Sequence, residues 1–186
     1  IQKMRTQAII LKKIPIRDYD ELIVCYTQDS GKQAYQAKSI LRPTSKQASH
    51  LDILNLVDFS LVHKNSSPRS SYGGAGHPII TSAYCLEAFP RLKASLPAMS
   101  AACFLLECFD KLIFENEPDP KLWNFLLTQL LNHEQLSSAP QANWPELIAS
   151  ARQKILQILG YDPSMPIEQL ANSQFYSLQF AREVLK

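Results

Sequence analysis

The side chains here that could do chemistry are basic, and they crowd into the first part of the chain. Lys12, Lys13, Arg17, Lys32, Lys38, Arg42, Lys46, Lys64 and Arg69 all fall within its first 69 residues. Cations along one groove neutralise the phosphates of a nucleic acid and release its counterions, and aromatic rings beside them stack on unpaired bases. Tyr19, Tyr35 and Tyr72 are the candidate stacking rings, although strand alternation turns Tyr35 toward a core. Lys32 and Lys38 read equally well as the solvated face of an ordinary strand.

Nothing comparable points to catalysis or metal binding. His50, His63, His77 and His133 are scattered and make no ligand spacing such as HExxH. Gly73-Gly74-Ala75-Gly76 is glycine-rich, but no Lys-Ser/Thr and helix follow as in a phosphate loop, so it reads as a hairpin tip. Asp18, Asp20 and Glu21 are close enough to suggest a metal site or an acid–base pair; they read better as turn and strand-start residues. Cys25, Cys85, Cys103 and Cys108 each sit in an apolar run with no CxxC pair. That is the pattern of small buried hydrophobes in a reducing compartment, not of a disulfide scaffold or zinc site. A non-enzymatic binding protein in a reducing compartment is the expectation.

Charge is unevenly placed. Residues 1–80 hold eleven Lys/Arg against six Asp/Glu, and residues 81–186 hold eight against eleven, in a chain of net charge +2. One half meeting an anion would explain the asymmetry. With 46% apolar residues the chain can bury a core, and no run reaches the ~20 apolar residues of a membrane helix. The opening residues do not resemble a signal peptide.

The elements that must position the cations come next. Alternation predicts strands over Arg5–Lys13, Glu21–Gln28, Lys32–Ser39, Leu56–His63 and Ile79–Leu86. In the first, Ala8, Ile10 and Lys12 share one face, and Ile9, Leu11 and Lys13 the other. In the third, Lys32, Ala34, Gln36 and Lys38 share the outer face. Asp29-Ser30-Gly31 supplies a tight turn, residues 40–52 a loop, and residues 65–77 a second loop rich in Ser, Gly and Pro. Five short strands in about ninety residues predict a small closed barrel. An oligonucleotide-binding (OB) fold is the commonest such object, and an SH3-like barrel also fits.

After Pro90 the period changes to that of helices. Leu96–Phe114 is apolar around most of its circumference, as befits the centre of a bundle, with Glu107 and Lys111 set to pair at i,i+4. Asp119-Pro120 starts another helix. Asn143 and Glu146 resemble a capping box, and Gly160 fits the position after that helix's end. A last helix is expected over about 175–185. The expected class is α+β, with a barrel domain at 1–87 and a helical domain at 88–186.

The order of these pieces resembles the bacterial recombination mediator family RecO. Residues 8–13 are similar to that family's opening strand. Arg17-Asp18-Tyr19-Asp20-Glu21-Leu22-Ile23-Val24 is similar to its DYGE-apolar segment, with Asp20 in the usual glycine place. Thr27-Gln28-Asp29-Ser30-Gly31-Lys32 resembles its T-x-x-x-GK turn, and Leu41-Arg42-Pro43 with Lys46 its basic loop. Leu86 to Leu92, Pro118-Asp119-Pro120 and Leu159-Gly160-Tyr161-Asp162-Pro163 also have counterparts. The likeness runs from about residue 6 to 163, and it is the order and spacing of the motifs that is specific.

The resemblance implies an N-terminal five-stranded OB fold and a C-terminal helical domain. It implies binding of single- and double-stranded DNA, annealing of complementary strands, and help in loading RecA. The partners it implies are RecR and the C-terminal tail of the single-stranded-DNA-binding protein, with no cofactor and no membrane; the place is the cytoplasm, at the nucleoid. Two departures stand out. Ser39, Ile40, Leu41 and Thr44 replace some of the family's loop cations. Where many members carry a cysteine zinc module, Ser164-Met165-Pro166 follows here, so no zinc and a shortened C-terminal part are expected. For tail docking Arg91, Lys93, Lys111, Lys121, Arg152, Lys154 and Arg182 are available. The thinned loop keeps open an alternative, an OB-fold scaffold for protein interactions with little direct DNA binding.

Overall fold

The computed structural model describes residues 3–16, 18–62, 77–139 and 141–185. The chain divides into two compact units, Ile1–Ala88 and Phe89–Lys186.

The first unit is a five-stranded closed barrel of β1 (Lys3–Pro15), β2 (Glu21–Thr27), β3 (Gly31–Ala37), β4 (Leu56–Val62) and β5 (Ile79–Glu87). Around the barrel the order is β1-β2-β3-β5-β4, with β1 paired to both β2 and β4. All neighbours are antiparallel except β3 and β5, which run parallel. This is the five-stranded Greek-key barrel of the OB fold. Inward residues follow the period of two: Ala8 and Ile10, Ile23 and Cys25, Tyr35 and Ala37, Val57, Phe59 and Leu61, and Ile80 form one core. Tyr35 meets Phe59 edge to face at 5.4 Å, so it is a core ring and not a stacking platform. The β2–β3 register is set at Gly31, whose φ of 69° suits a residue without Cβ. Thr27 Oγ1 locks the turn, accepting from Ser30 N and donating to Gly31 O, both at 3.0 Å.

One expectation about β1 fails. Ile10 pairs with Cys25 but Lys12 pairs with Val24, so Leu11 is an extra residue, a β-bulge. Beyond it the alternation inverts. Lys12 stands on the outer face with Val24, while Lys13, opposite Ile23, turns to the inner face. The bulge is tied to the end of the β3–β4 loop: Leu54 N donates to Ile10 O at 3.0 Å and Ile10 N to Asn55 O at 3.2 Å.

The second unit is helical: α1 (Pro90–Ala94), α2 (Leu96–Leu112), α3 (Pro120–Leu136), α4 (Trp144–Ile158), α5 (Ile167–Ala171) and α6 (Tyr176–Val184). The expected central helix is α2, which packs against each of the others. Its Phe104, Leu105, Cys108 and Phe109 are wholly buried. It ends two residues earlier than its apolar pattern, because Ile113 takes extended backbone. The short helices α1 and α5 had no sequence signal, and α3 runs to Leu136. The caps follow their residues. Asp119 Oδ1 accepts from Lys121 N at 2.7 Å, Asn143 Oδ1 accepts from Glu146 N at 3.3 Å, and Gly160 has φ 81° with Tyr161 N donating back to Leu156 O at 2.9 Å. Two carboxylates tie helices together. Glu134 accepts from the Arg91 and Leu92 amides that open α1, and Glu107 from the Tyr176 and Ser177 amides that open α6. Burial alone would raise the Glu134 carboxyl, but the bonds from Leu92 and Arg91 outweigh it and hold it below the ordinary value.

Candidate nucleic-acid interface

The β3–β4 loop closes one end of the barrel. Three apolar side chains fasten it: Ile40, Leu51 and Leu54 are buried. Asn55 Nδ2 donates to the carbonyls of Ser49 and His50, both at 3.0 Å. Between these anchors the loop stands away from the barrel and leaves an open groove of about 420 Å³. Lys38, Arg42 and Lys46 line it on the loop side, and Thr81 of β5 on the other. Gln47 Nε2 spans the two, donating to Thr81 O at 3.3 Å.

Asp20 fixes where the loop begins. Its Oδ1 accepts from Ser39 N at 2.8 Å and its Oδ2 from Gln36 Nε2 at 3.0 Å. Ser39 sits at φ 54°, a left-handed conformation that side-chain-bearing residues rarely take. One residue earlier in the sequence, Tyr19 O accepts from Leu41 N at 3.1 Å. The half-exposed Tyr19 ring lies under the Arg42 guanidinium, 5.2 Å from its centre. The acidic start of β2 is therefore the hinge that sets the basic loop, and a cation–π contact holds Arg42 beside a ring that a base could also cover.

The nine expected cations separate. Lys38, Arg42 and Lys46 come together around the groove, all three exposed, and among the described residues no carboxylate pairs with them. Lys13 is engaged inside the barrel instead. The bulge turns it inward, its Nζ lies 2.9 Å from Glu21 Oε2, and both side chains are largely buried. Lys12 and Lys32 are partly buried on the outer faces of β1 and β3 and are not among the residues that line the groove. Arg17, Lys64 and Arg69, like Tyr72, lie outside the described residues.

Two features were missed in the sequence. The polar lining from Thr44, Ser45, Gln47 and Thr81 offers hydrogen-bond donors between the cations. On the outer face of β5, Tyr84 is 65% exposed and stacks on His50, ring centres 5.9 Å apart, while His50 Nδ1 accepts from Cys85 N at 3.2 Å. Strand alternation could have placed Tyr84 outward; its partner from a distant loop had no signal.

A groove with three cations, hydroxyl and amide donors and a ring beside Arg42 has the chemistry to hold a phosphate backbone. Among the described residues no His, Cys, Asp and Glu side chains gather to hold a metal ion, and no helix is long and apolar enough to cross a membrane.

Comparison with known proteins bears on the same region. Residues 1–74 match the family model "Recombination protein O N terminal". Across more of its length the chain is similar to proteins named DNA repair protein RecO. That of Salinibacter ruber is 25% identical over 163 residues, covering 87% of this chain and 58% of that protein. That of Desulforudis audaxviator is 26% identical over 165 residues, 89% and 60% of the two. That of Synechococcus sp. strain JA-3-3Ab is 28% identical over 178 residues, 93% and 58%. The chain thus spans about three-fifths of the length of these relatives.

Proposed function

From the match of residues 1–74 to the family model and the likeness to proteins named DNA repair protein RecO, we propose that the chain is a RecO-family protein whose barrel is a nucleic-acid-binding module of recombinational DNA repair. The observation that carries this reading is the convergence of Lys38, Arg42 and Lys46 on one groove beside Tyr19. Phosphates bind along the three cations, and an unpaired base covers Tyr19 or Tyr84. The strand is held by charge and stacking, without base-edge readout, so binding is tolerant of sequence. The module does no covalent chemistry. It binds single- and double-stranded DNA and brings complementary strands together to anneal. With RecR, and through the tail of the single-stranded-DNA-binding protein, it helps load RecA on coated single strands. These partners come from the family likeness.

A fluorescence-anisotropy titration with a labelled mixed-sequence single strand tests the reading. Binding should be clear at low salt and fall steeply as salt rises. Absence of binding at low salt would remove the DNA reading and leave the barrel as a protein-interaction scaffold. A labelled tail peptide of the single-stranded-DNA-binding protein, titrated in parallel, distinguishes that outcome from an inactive preparation.

A further inference from the structure

The helical unit carries an open groove of about 500 Å³ of its own. Two segments distant in sequence build it: the run from the end of α2 through the following loop to the start of α3, and the end of α4 with Tyr161. Ile113 and Leu122 are buried at its base. At its margin Phe114 is 74% and Tyr161 46% exposed. Two large rings held in water on one depression are the mark of a surface that another molecule covers. The backbone around them is fixed. Tyr161 is held by its bond to Leu156 after the left-handed Gly160, and Asp119 is fixed as the cap of α3.

Charge says what kind of molecule. The lining holds two carboxylates, Glu117 and Asp119, and no Lys, Arg or His. Exposed Glu115 and Asp162 flank it in sequence. Hydrogen bonds from Ser164 hold the Asp162 carboxyl below its ordinary value, so it stays ionised. Two helices, α2 and α4, end at the groove and direct the partial negative charge of their C-termini there. The opposite pole, at the start of α3, is already met by Asp119. The last-turn cation of α2 does not offset this field: Lys111 Nζ is engaged by Glu107 at 2.7 Å and by the Gln174 carbonyl, over the Phe175 ring. Lys121 is exposed but not part of the lining.

We propose that this groove docks a cationic, apolar peptide segment of a partner protein. One aromatic or branched aliphatic side chain of the segment seats between Phe114 and Tyr161, and flanking Lys or Arg residues meet Glu117 and Asp119. Acidic tails and nucleic acid have the wrong sign for it, so this site is independent of the barrel groove and stands whether or not the barrel binds DNA.

The test uses the whole chain and two labelled synthetic peptides, each with a central Trp-Leu. One has Lys and Arg on both sides and the other has Glu in their place. Anisotropy should show saturable binding of the cationic peptide and none of the acidic one. Glu117→Lys and Phe114→Ser change exposed side chains, and circular dichroism checks their fold. Each should weaken the cationic peptide by about tenfold, the usual scale for one well-placed contact at an interface. Unchanged binding by both variants, preference for the acidic peptide, or no saturable binding would overturn the proposal. So would sedimentation showing a self-associated wild type that Phe114→Ser makes monomeric, since the occupant would then be a second copy.

Discussion

Replacing Asp20 with Ala separates the placement of the basic loop from its charge. Asp20 accepts from Ser39 N at 2.8 Å and from Gln36 Nε2 at 3.0 Å, and these bonds tie the β1–β2 turn to the start of the β3–β4 loop. A hydrogen bond to a charged group contributes about 1.5–3 kcal/mol, and its loss also frees Ser39 from a left-handed backbone that costs about 1 kcal/mol. For the Ser39 bond, about 1.5–3 kcal/mol lost less about 1 kcal/mol of relieved strain shifts the balance between the ordered and the released loop by about 1 kcal/mol. A site whose competent arrangement is thinned binds more weakly in the same proportion, about fivefold for a shift of that size. The cations themselves remain, so the number of phosphates neutralised is unchanged. Asp20→Ala should weaken single-stranded DNA by several-fold while leaving the slope of log affinity against log salt where it was. Asp20→Asn keeps the acceptor without its charge and should fall between. Anisotropy titrations at four or five salt concentrations read both quantities at once. If Asp20→Ala binds as tightly as the parent, the loop is held by other contacts. If its slope flattens by a whole contact, Asp20 controls engagement of a cation and not loop order.

Other expectations follow from the same geometry. Lys13→Met strands the largely buried Glu21 carboxylate, which should destabilise the barrel by about 3 kcal/mol in urea unfolding without altering the salt slope of DNA binding; a flatter slope with full stability would return Lys13 to the interface. His133 is buried with neither ring nitrogen hydrogen-bonded, edge-on to Trp144 at 5.4 Å, and burial lowers its value to about 4. Its folded value lies below its unfolded one, so stability is full at neutral pH and drains as pH falls from about 6.5 toward 4, by about 2–3 kcal/mol at the lower end. His133→Leu should remove that part of the acid loss, and a parallel loss in the variant would assign it to carboxylates. Ser39→Gly relieves a left-handed residue and should stabilise the chain by up to about 1 kcal/mol in urea unfolding; destabilisation there would mean that the Ser39 side chain has a role of its own.

The barrel was legible because its strands alternate cleanly and because Asp29-Ser30-Gly31 admits a tight turn. Tyr35 and Ala37 could be placed inside, and Lys38 outside, from period alone. The same rule failed at β1, since period two presumes an unbroken ladder and Leu11 interrupts it; Lys12 and Lys13 then exchange faces. Asp20 was legible as architecture and not as the anchor of the basic loop, because its partners Gln36 and Ser39 are nonlocal. Residues 40–46 were legible as a basic loop from composition, but the depression it forms with Thr81 depends on the parallel approach of β3 and β5. In the helical unit, caps at Asp119, Asn143 and Gly160 were readable one by one. The acidic groove was not, because two helix ends and one helix start meet there only in the folded unit.

The central claim is that Lys38, Arg42 and Lys46 bind phosphates together, and the salt dependence of single-stranded DNA binding measures it most directly. Each neutralised phosphate contributes about −0.7 to the slope for single strands, so three contribute about −2, or roughly a twentyfold loss between 50 and 200 mM salt. Replacing all three by Ala should flatten the measured slope by about that amount and weaken low-salt binding accordingly. An equal slope in parent and triple variant, with both folded, would contradict the account and place any DNA contact elsewhere on the molecule.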